Sequence, residues 1–195
     1  MARRGVSRRV TGELRVEVAV ELDGKGFFRG GTGIKFFDHL LNSLVRHSWA
    51  DVSVSVEQLV EVDDHHVVED VGLALGNAVS QALGDRHGIR RFGHAIVPMD
   101  DALVLAVVDL SGRPYCVAKT FFKREAIAGM ALENIPHFVS ALASRLEAAI
   151  HVLMLYGLND HHKAEAVFKA LGLALREAWS LSGREDVEST KEVLG

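Results

Sequence analysis

The segment Asp64-His65-His66-Val67-Val68-Glu69 returns as Asp160-His161-His162-Lys163-Ala164-Glu165, and this repetition constrains the fold more than any other feature of the chain. Residues 64–83 laid over residues 160–179 agree at 10 of 20 positions, among them both His pairs, both glutamates and the mid-segment glycines Gly76 and Gly172. The identities fall on metal-ligand residue types and on apolar positions at helical spacing, so a chemistry and the helix presenting it have been kept together. The 195 residues therefore read as two similar halves, residues 1–92 and 93–195, packed as one unit without a Pro- or Ser-rich linker between them.

Each half repeats one order of elements. Leu14, Val16, Val18 and Val20 alternate with polar residues, which predicts a half-buried strand over 10–22, and Asp23-Gly24-Lys25-Gly26 after it carries a hairpin signal. A helix follows from near Phe36 through His39 to Val45, then a strand at Val52, Val54 and Val56, then a helix capped by Asp64 and stopped by Gly84. In the second half the strands are 103–110 and 115–121, joined across Ser111-Gly112-Arg113-Pro114. A helix over 135–146, a strand over 150–155 and a last helix capped by Asp160 complete it. Strand, strand, helix, strand, helix in both halves predicts an α+β fold, a duplication of mostly antiparallel sheets each with two helices on one side.

In a helix, positions i and i+4 share a face, so His65 with Glu69, and His161 with Glu165, can each chelate one ion. His66 and His162 point about a third of a turn away and can serve a second ion or a neighbouring subunit. Upstream, His39 corresponds to His137 across a two-residue gap. Six histidines and two glutamates thus come in symmetric pairs, and each half is expected to supply one gripping set. Eight ligands divided between two ions leave open positions on a six-coordinate metal, which favours catalysis over a structural role. Imidazole with carboxylate suits Mn, Fe, Ni or Zn better than Ca or Mg. His47, His87, His94 and His151 have no repeat partner, and His47, two turns beyond His39, is a candidate for the pocket rim.

Composition removes other classes. The single cysteine, Cys116, excludes an intrachain disulfide and fits a reducing, cytoplasmic setting. No apolar run approaches membrane-spanning or signal-peptide length. A net charge of −4, with basic residues massed only near the start, argues against nucleic acid as a partner.

Six collinear stretches resemble the imidazoleglycerol-phosphate dehydratase family: Phe36-Phe37-Asp38-His39, residues 63–70, Gly88-Ile89-Arg90-Arg91-Phe92-Gly93, Pro98-Met99-Asp100-Asp101-Ala102-Leu103, residues 109–115 and residues 159–170. The resemblance runs from about Thr11 to Lys191. It implies a fold of the ribosomal-protein-S5-domain-2-like type, a role in histidine biosynthesis, two Mn²⁺ ions per active site, and sites built where subunits meet in a homo-oligomer of 24 chains. The family's metal ligands fall on His39, His65, His66, Glu69, His137, His161, His162 and Glu165. Its catalytic glutamate falls on Glu13, in Arg9-Val10-Thr11-Gly12-Glu13, and Asp100 is expected to help orient a substrate group. The phosphate-binding residues fall on Arg91, Arg113, Ser189 and Lys191, and a substrate-contacting lysine on Lys169. The chain departs from the family pattern at Leu14, Asn42-Ser43, residues 59–62 and Glu192, and keeps every ligand position.

The implied reaction removes water from imidazoleglycerol phosphate to give imidazoleacetol phosphate. The proton that leaves has no neighbouring carbonyl to acidify it, so the imidazole ring has to supply the push that expels the hydroxyl. Two other classes share the ligand types: a dinuclear metallohydrolase, for which the aspartate complement is thin, and a metal-dependent assembly or storage protein without turnover.

Overall fold

The computed structural model describes residues 2–61, 63–191 and 194; Val62 and Glu192, two of the departures from the family pattern, lie outside them. The first half contains β1 (Arg4–Val10), β2 (Leu14–Glu21), β3 (Phe28–Gly31), α1 (Lys35–Ser48), β4 (Asp51–Gln58) and α2 (Asp64–Leu83). The second contains β5 (Phe92–Met99), β6 (Ala102–Asp109), β7 (Tyr115–Lys119), a two-strand finger of β8 (Ala126–Ile127) and β9 (Met130–Ala131), α3 (Asn134–Leu146), β10 (Ala149–Tyr156) and α4 (Asp160–Trp179). The sheets share one topology, β1-β2-β4-β3 and β5-β6-β10-β7. The duplicated α+β architecture is therefore that of the sequence reading.

Three details differ from it. Each half has an additional edge strand, β1 and β5, so the expected strand over 10–22 is split by a turn at Thr11–Glu13. These strands escape a hydrophobic-periodicity reading because small residues face inward: Gly5 and Gly93 lie against the backbones of α2 and α4, where a side chain would collide. The Asp23–Gly26 turn does not close a hairpin, nor does Ser111–Pro114, because β3 and β7 cross over to pair parallel with β4 and β10. Finally, the helix caps are Asp63 and Asn159, one residue earlier than expected. Both have extended backbone, and their side chains accept the N–H of His65 and His161.

Between the sheets the helices pair across the halves, α1 with α4 and α2 with α3, giving sheet, helices, helices, sheet. Phe37 of α1, Phe138 of α3 and Phe168 of α4 meet at centroid distances of 5.1 to 6.4 Å and are fully buried. Such contacts contribute about 0.5–1.5 kcal/mol per pair beyond area burial. The repeated glycines sit at the helix crossings. A Cβ on Gly76 would stand 2.6 Å from the Leu142 carbonyl oxygen, and one on Gly172 2.5 Å from that of Leu44. Arg86, 5 % exposed, leaves the end of α2 and donates to the carbonyls of Leu110, Leu146 and Glu147, tying the first half to the end of α3. Cys116 is half-buried, and burial raises its thiol pKa against a hydrogen bond with Ser140. Among the described residues no helix is long and apolar enough to cross a membrane.

Candidate metal centre

The two Asp-His-His segments begin helices whose starts are held from outside. Asp64, the first residue of α2, accepts the N–H of Ala131 in β9 at 2.6 Å. Asp160, the first residue of α4, accepts the N–H groups of Lys123 and Arg124 and pairs with Lys163, whose side chain is fully buried, at 2.8 Å. These carboxylates therefore pin the loops of the second half around the histidines, a role distinct from capping.

Cross-half pairing decides which ligands meet. His39 of α1 and His161 of α4 each bring Nε2 to Glu165 Oε2, at 3.5 and 3.4 Å, and the ligand atoms of the three lie within 4.8 Å of one another. Across the molecule, His65 of α2 and His137 of α3 set their rings 4.6 Å apart, edge to face, with Glu69 one turn further along α2. Each set therefore draws one helix from each half, which corrects the expectation of one set per half. The cause is the packing of α1 on α4 and α3 on α2, and two equivalent halves carry no sequence signal for that choice.

The donor chemistry fits divalent ions. His65 Nδ1 lies 3.1 Å from Asn134 Oδ1, and His162 Nδ1 lies 2.5 Å from Asp101 Oδ1; an Nδ1–H donated to oxygen leaves Nε2 with a free lone pair. Burial opposes ionisation of Glu165, but Lys169 at 2.8 Å and His39 overcome it and hold the carboxyl below its ordinary range, ready as an anionic ligand. His66 Nδ1 is buried and has no aligned hydrogen-bond partner, although Glu13 Oε2 approaches it to 2.5 Å. The distance alone counts as proximity of acid and imidazole, because the alignment a hydrogen bond needs is missing.

Glu13 and Asp100 reach His66 and His162, respectively, from hairpin turns. The backbone around Glu13 is fixed: Thr11 Oγ1 accepts its N–H, and its carbonyl accepts Leu59 and Val60. Asp100, in a left-handed conformation at φ 45°, points Oδ2 to within 3.3 Å of His162 Nε2. Asp101, beside it, takes Leu158 N–H and Asn159 N–H as well as His162. The His162 hydrogen bond first, then the two amides, hold its carboxyl well below the usual range. Asp101 and Asn134 were not singled out from the sequence. Asp101 sits in the recognisable Asp100-Asp101 pair, and only the fold reveals which of the two meets Nδ1.

Arg91, Arg113, Ser189 and Lys191 converge on one cleft, joined there by Arg184 and Thr190. Arg91 is anchored by Asp109 at 2.7 Å and donates to the Glu188 carbonyl at 2.6 Å, so the C-terminal segment is tied to the site. His47 is not gathered with any of these residues. It lies at the α1–α4 crossing against Gly172, with Nδ1 donating to the Ser43 carbonyl at 2.7 Å.

Comparison with known proteins adds an independent line. The family model described as imidazoleglycerol-phosphate dehydratase matches residues 32–175. An imidazoleglycerol-phosphate dehydratase of Methanothermobacter thermautotrophicus is 49% identical over 192 residues, covering 98% of each chain. One from Moorella thermoacetica is 46% identical over the whole of both. Among solved structures, IGPD from Pyrococcus furiosus in complex with (S)-C348 superposes with a TM-score of 0.82 at 40% identity, covering 96% of this chain and 99% of that one. Its match, the family model and the two full-length relatives agree with the six motifs, and the chain belongs to the imidazoleglycerol-phosphate dehydratase family.

Proposed function

We propose that the protein dehydrates imidazoleglycerol phosphate to imidazoleacetol phosphate, as a metal-dependent lyase of histidine biosynthesis working in the cytoplasm. The observation that carries this reading is the pair of imidazole and carboxylate clusters, His39 with His161 and Glu165, and His65 with His137 and Glu69. In this reading they hold two ions, Mn²⁺ by family, and His66 and His162 complete the ligand set. Held there, such ions would supply Lewis acidity to the substrate's imidazole ring, favouring its anionic form, the electron source for expelling hydroxide.

The chain's own residues do the rest. Glu13 Oε2 removes the proton from the carbon adjacent to the one that loses its hydroxyl, leaving the enol; its nearness to His66 and its partly exposed side chain suit a base that must reach substrate. Asp100, 70% exposed and close to His162, orients a substrate hydroxyl. Lys169 keeps Glu165 ionised and presents an ammonium toward the same space. Arg91 and Arg113 grip the phosphate through planar guanidinium donors, Lys191 adds a compact charge and Ser189 a hydroxyl.

The same reading makes the protein a homo-oligomer of 24 chains with sites at subunit junctions. Support comes from the unlike outer faces of the two sheets. The first, although Val6 and Val10 are exposed on it, is dominated by the cross-strand ion pairs Arg4–Glu21, Arg8–Glu17 and Arg15–Glu57, as a solvated face is. The second exposes Ile96, Val107, Tyr115 and Leu155, an apolar face that a second copy would cover.

An assay on imidazoleglycerol phosphate tests the reading against its competitors. Dehydration predicts metal-dependent formation of the ketone. A metallohydrolase would instead release phosphate, and an assembly protein would leave the compound unchanged.

A further inference from the structure

The two hairpin turns that point carboxylates at the second histidine of each pair are related by the internal repeat, yet they are built differently. In the β5–β6 turn, Asp101 spends one oxygen on two backbone N–H groups, Leu158 at 2.5 Å and Asn159 at 2.8 Å, and offers the other to His162 Nδ1. Asn159 is itself the N-cap of α4, so the carboxylate is locked to the same backbone that starts the helix carrying His162. In the β1–β2 turn, Glu13 has a fixed backbone, but its carboxylate accepts no backbone N–H among the described residues, and it meets His66 Nδ1 without alignment.

We infer that Asp101 is a positioning residue that sets the tautomer of His162, holding the proton on Nδ1 so that Nε2 presents its lone pair to an ion, while the related turn has left Glu13 unanchored. The inference rests on the proposed metal-dependent reading and extends it to a residue that touches neither substrate nor metal. Two amide donors fix the orientation of the carboxylate. Among the described residues the oxygen directed at His162 Nδ1 cannot donate, so Nδ1 carries the hydrogen, and the exposed Asp100 Oδ2, 3.3 Å from Nε2, is the group an ion would displace there. Metal-ligating imidazoles are oriented by such partners, and losing one typically costs about 10–100-fold in metal affinity.

The isosteric Asp101→Asn change inverts this arrangement. With the amide oxygen retained by Leu158 and Asn159 N–H, the new NH₂ faces Nδ1 and forces the hydrogen onto Nε2, where it blocks the ion. The test uses metal-free full-length protein labelled with ¹⁵N-histidine, with the His162 signals assigned through His162→Asn. Nitrogen shifts report the tautomer, calorimetry reports Mn²⁺ affinity, and thermal unfolding reports the metal-free fold. The expected result is an Nδ1–H tautomer in the wild type and Nε2–H in Asp101→Asn. Mn²⁺ binding in the variant should be weaker by about 10–100-fold, and the metal-free variant, which loses an ionised carboxylate held by two backbone amides, should show a lower Tm yet remain cooperatively folded at the titration temperature. An Nε2–H tautomer in the wild type overturns the inference without any variant. So does an unchanged tautomer in Asp101→Asn, or an unchanged Mn²⁺ affinity in a variant whose tautomer has flipped. No substrate enters these measurements, so a negative dehydration assay alongside a tautomer flip would overturn the proposed reaction and leave the role of Asp101 standing.

Discussion

Gly172 of α4 lies directly against Leu44 of α1: a Cβ at Gly172 would stand 2.5 Å from the Leu44 carbonyl oxygen. Gly76 makes the same approach to Leu142 at the α2–α3 crossing, at 2.6 Å. The nearest neighbours are main-chain atoms, so a methyl group can be fitted only by separating the helices. Gly172→Ala and Gly76→Ala are each expected to lower stability by about 1–3 kcal/mol, in spite of the better helix propensity of alanine. Urea unfolding of metal-free protein measures this, and a change under about 0.5 kcal/mol would mean that the crossings are looser than described.

Lys191 lines the same cleft as Arg91, Arg113 and Ser189, away from the imidazole clusters. Replacing it with alanine removes one charge-assisted contact, worth about 1.5–3 kcal/mol. The expected effect is a rise in KM of roughly 10–100-fold with a smaller change in kcat, as for a group that holds substrate and transition state alike. Steady-state kinetics decide, and the opposite pattern would assign Lys191 to the chemistry.

Glu13 approaches His66 from a turn whose backbone is already fixed by Thr11, Leu59 and Val60. Glu13→Gln keeps the shape and removes the base. It should lower kcat by about 10²–10⁴-fold, the usual range for a general base, while metal content per chain stays at the wild-type value. Metal analysis by plasma mass spectrometry run beside the kinetics separates the two. Loss of metal in this variant would make Glu13 a ligand.

Asp51 at the start of β4 accepts the N–H groups of Lys25 and Phe27 at 2.8 and 2.9 Å, which fixes the loop leading to β3 and on to α1. Burial pushes its carboxyl pKa up, but the amides of Phe27, Lys25 and Gly26 outweigh that and leave it below the ordinary value. A depressed native pKa stabilises the fold above the unfolded pKa of about 3.9 and loses that contribution as pH falls through the native value. Asp51→Asn should therefore be less stable than wild type at neutral pH, and the gap should narrow below about pH 4. Chemical unfolding across pH 2.5 to 7, an interval chosen to span the unfolded pKa of about 3.9, follows the gap. A gap independent of pH would contradict the assignment.

The parts of the structure that were legible in the sequence share a cause. α2 and α4 carry candidate ligands and a helical apolar stripe in duplicate, so His65, Glu69, His161 and Glu165 could be picked out by comparing the chain with itself. β1 and β5 could not, because Gly5, Ser7 and Gly93 face inward where a periodicity reading looks for large apolar residues. The crossover of β3 and β7 was hidden by turn residues that suit a hairpin equally well. Which helix meets which depends on long-range packing, and nothing in equivalent halves encodes that His39 should find Glu165 instead of Glu69. Asp101 and Asn134 matter only through the Nδ1 atoms they face, a relation that exists after folding.

Anomalous scattering at the manganese edge from crystals of Mn²⁺-loaded protein locates the ions. Two peaks per chain are expected, one touching His39, His161 and Glu165, the other touching His65, His137 and Glu69, each joining α-helices from both halves. Peaks elsewhere, a single peak, or none at these six residues would overturn the cross-half pairing of the ligands.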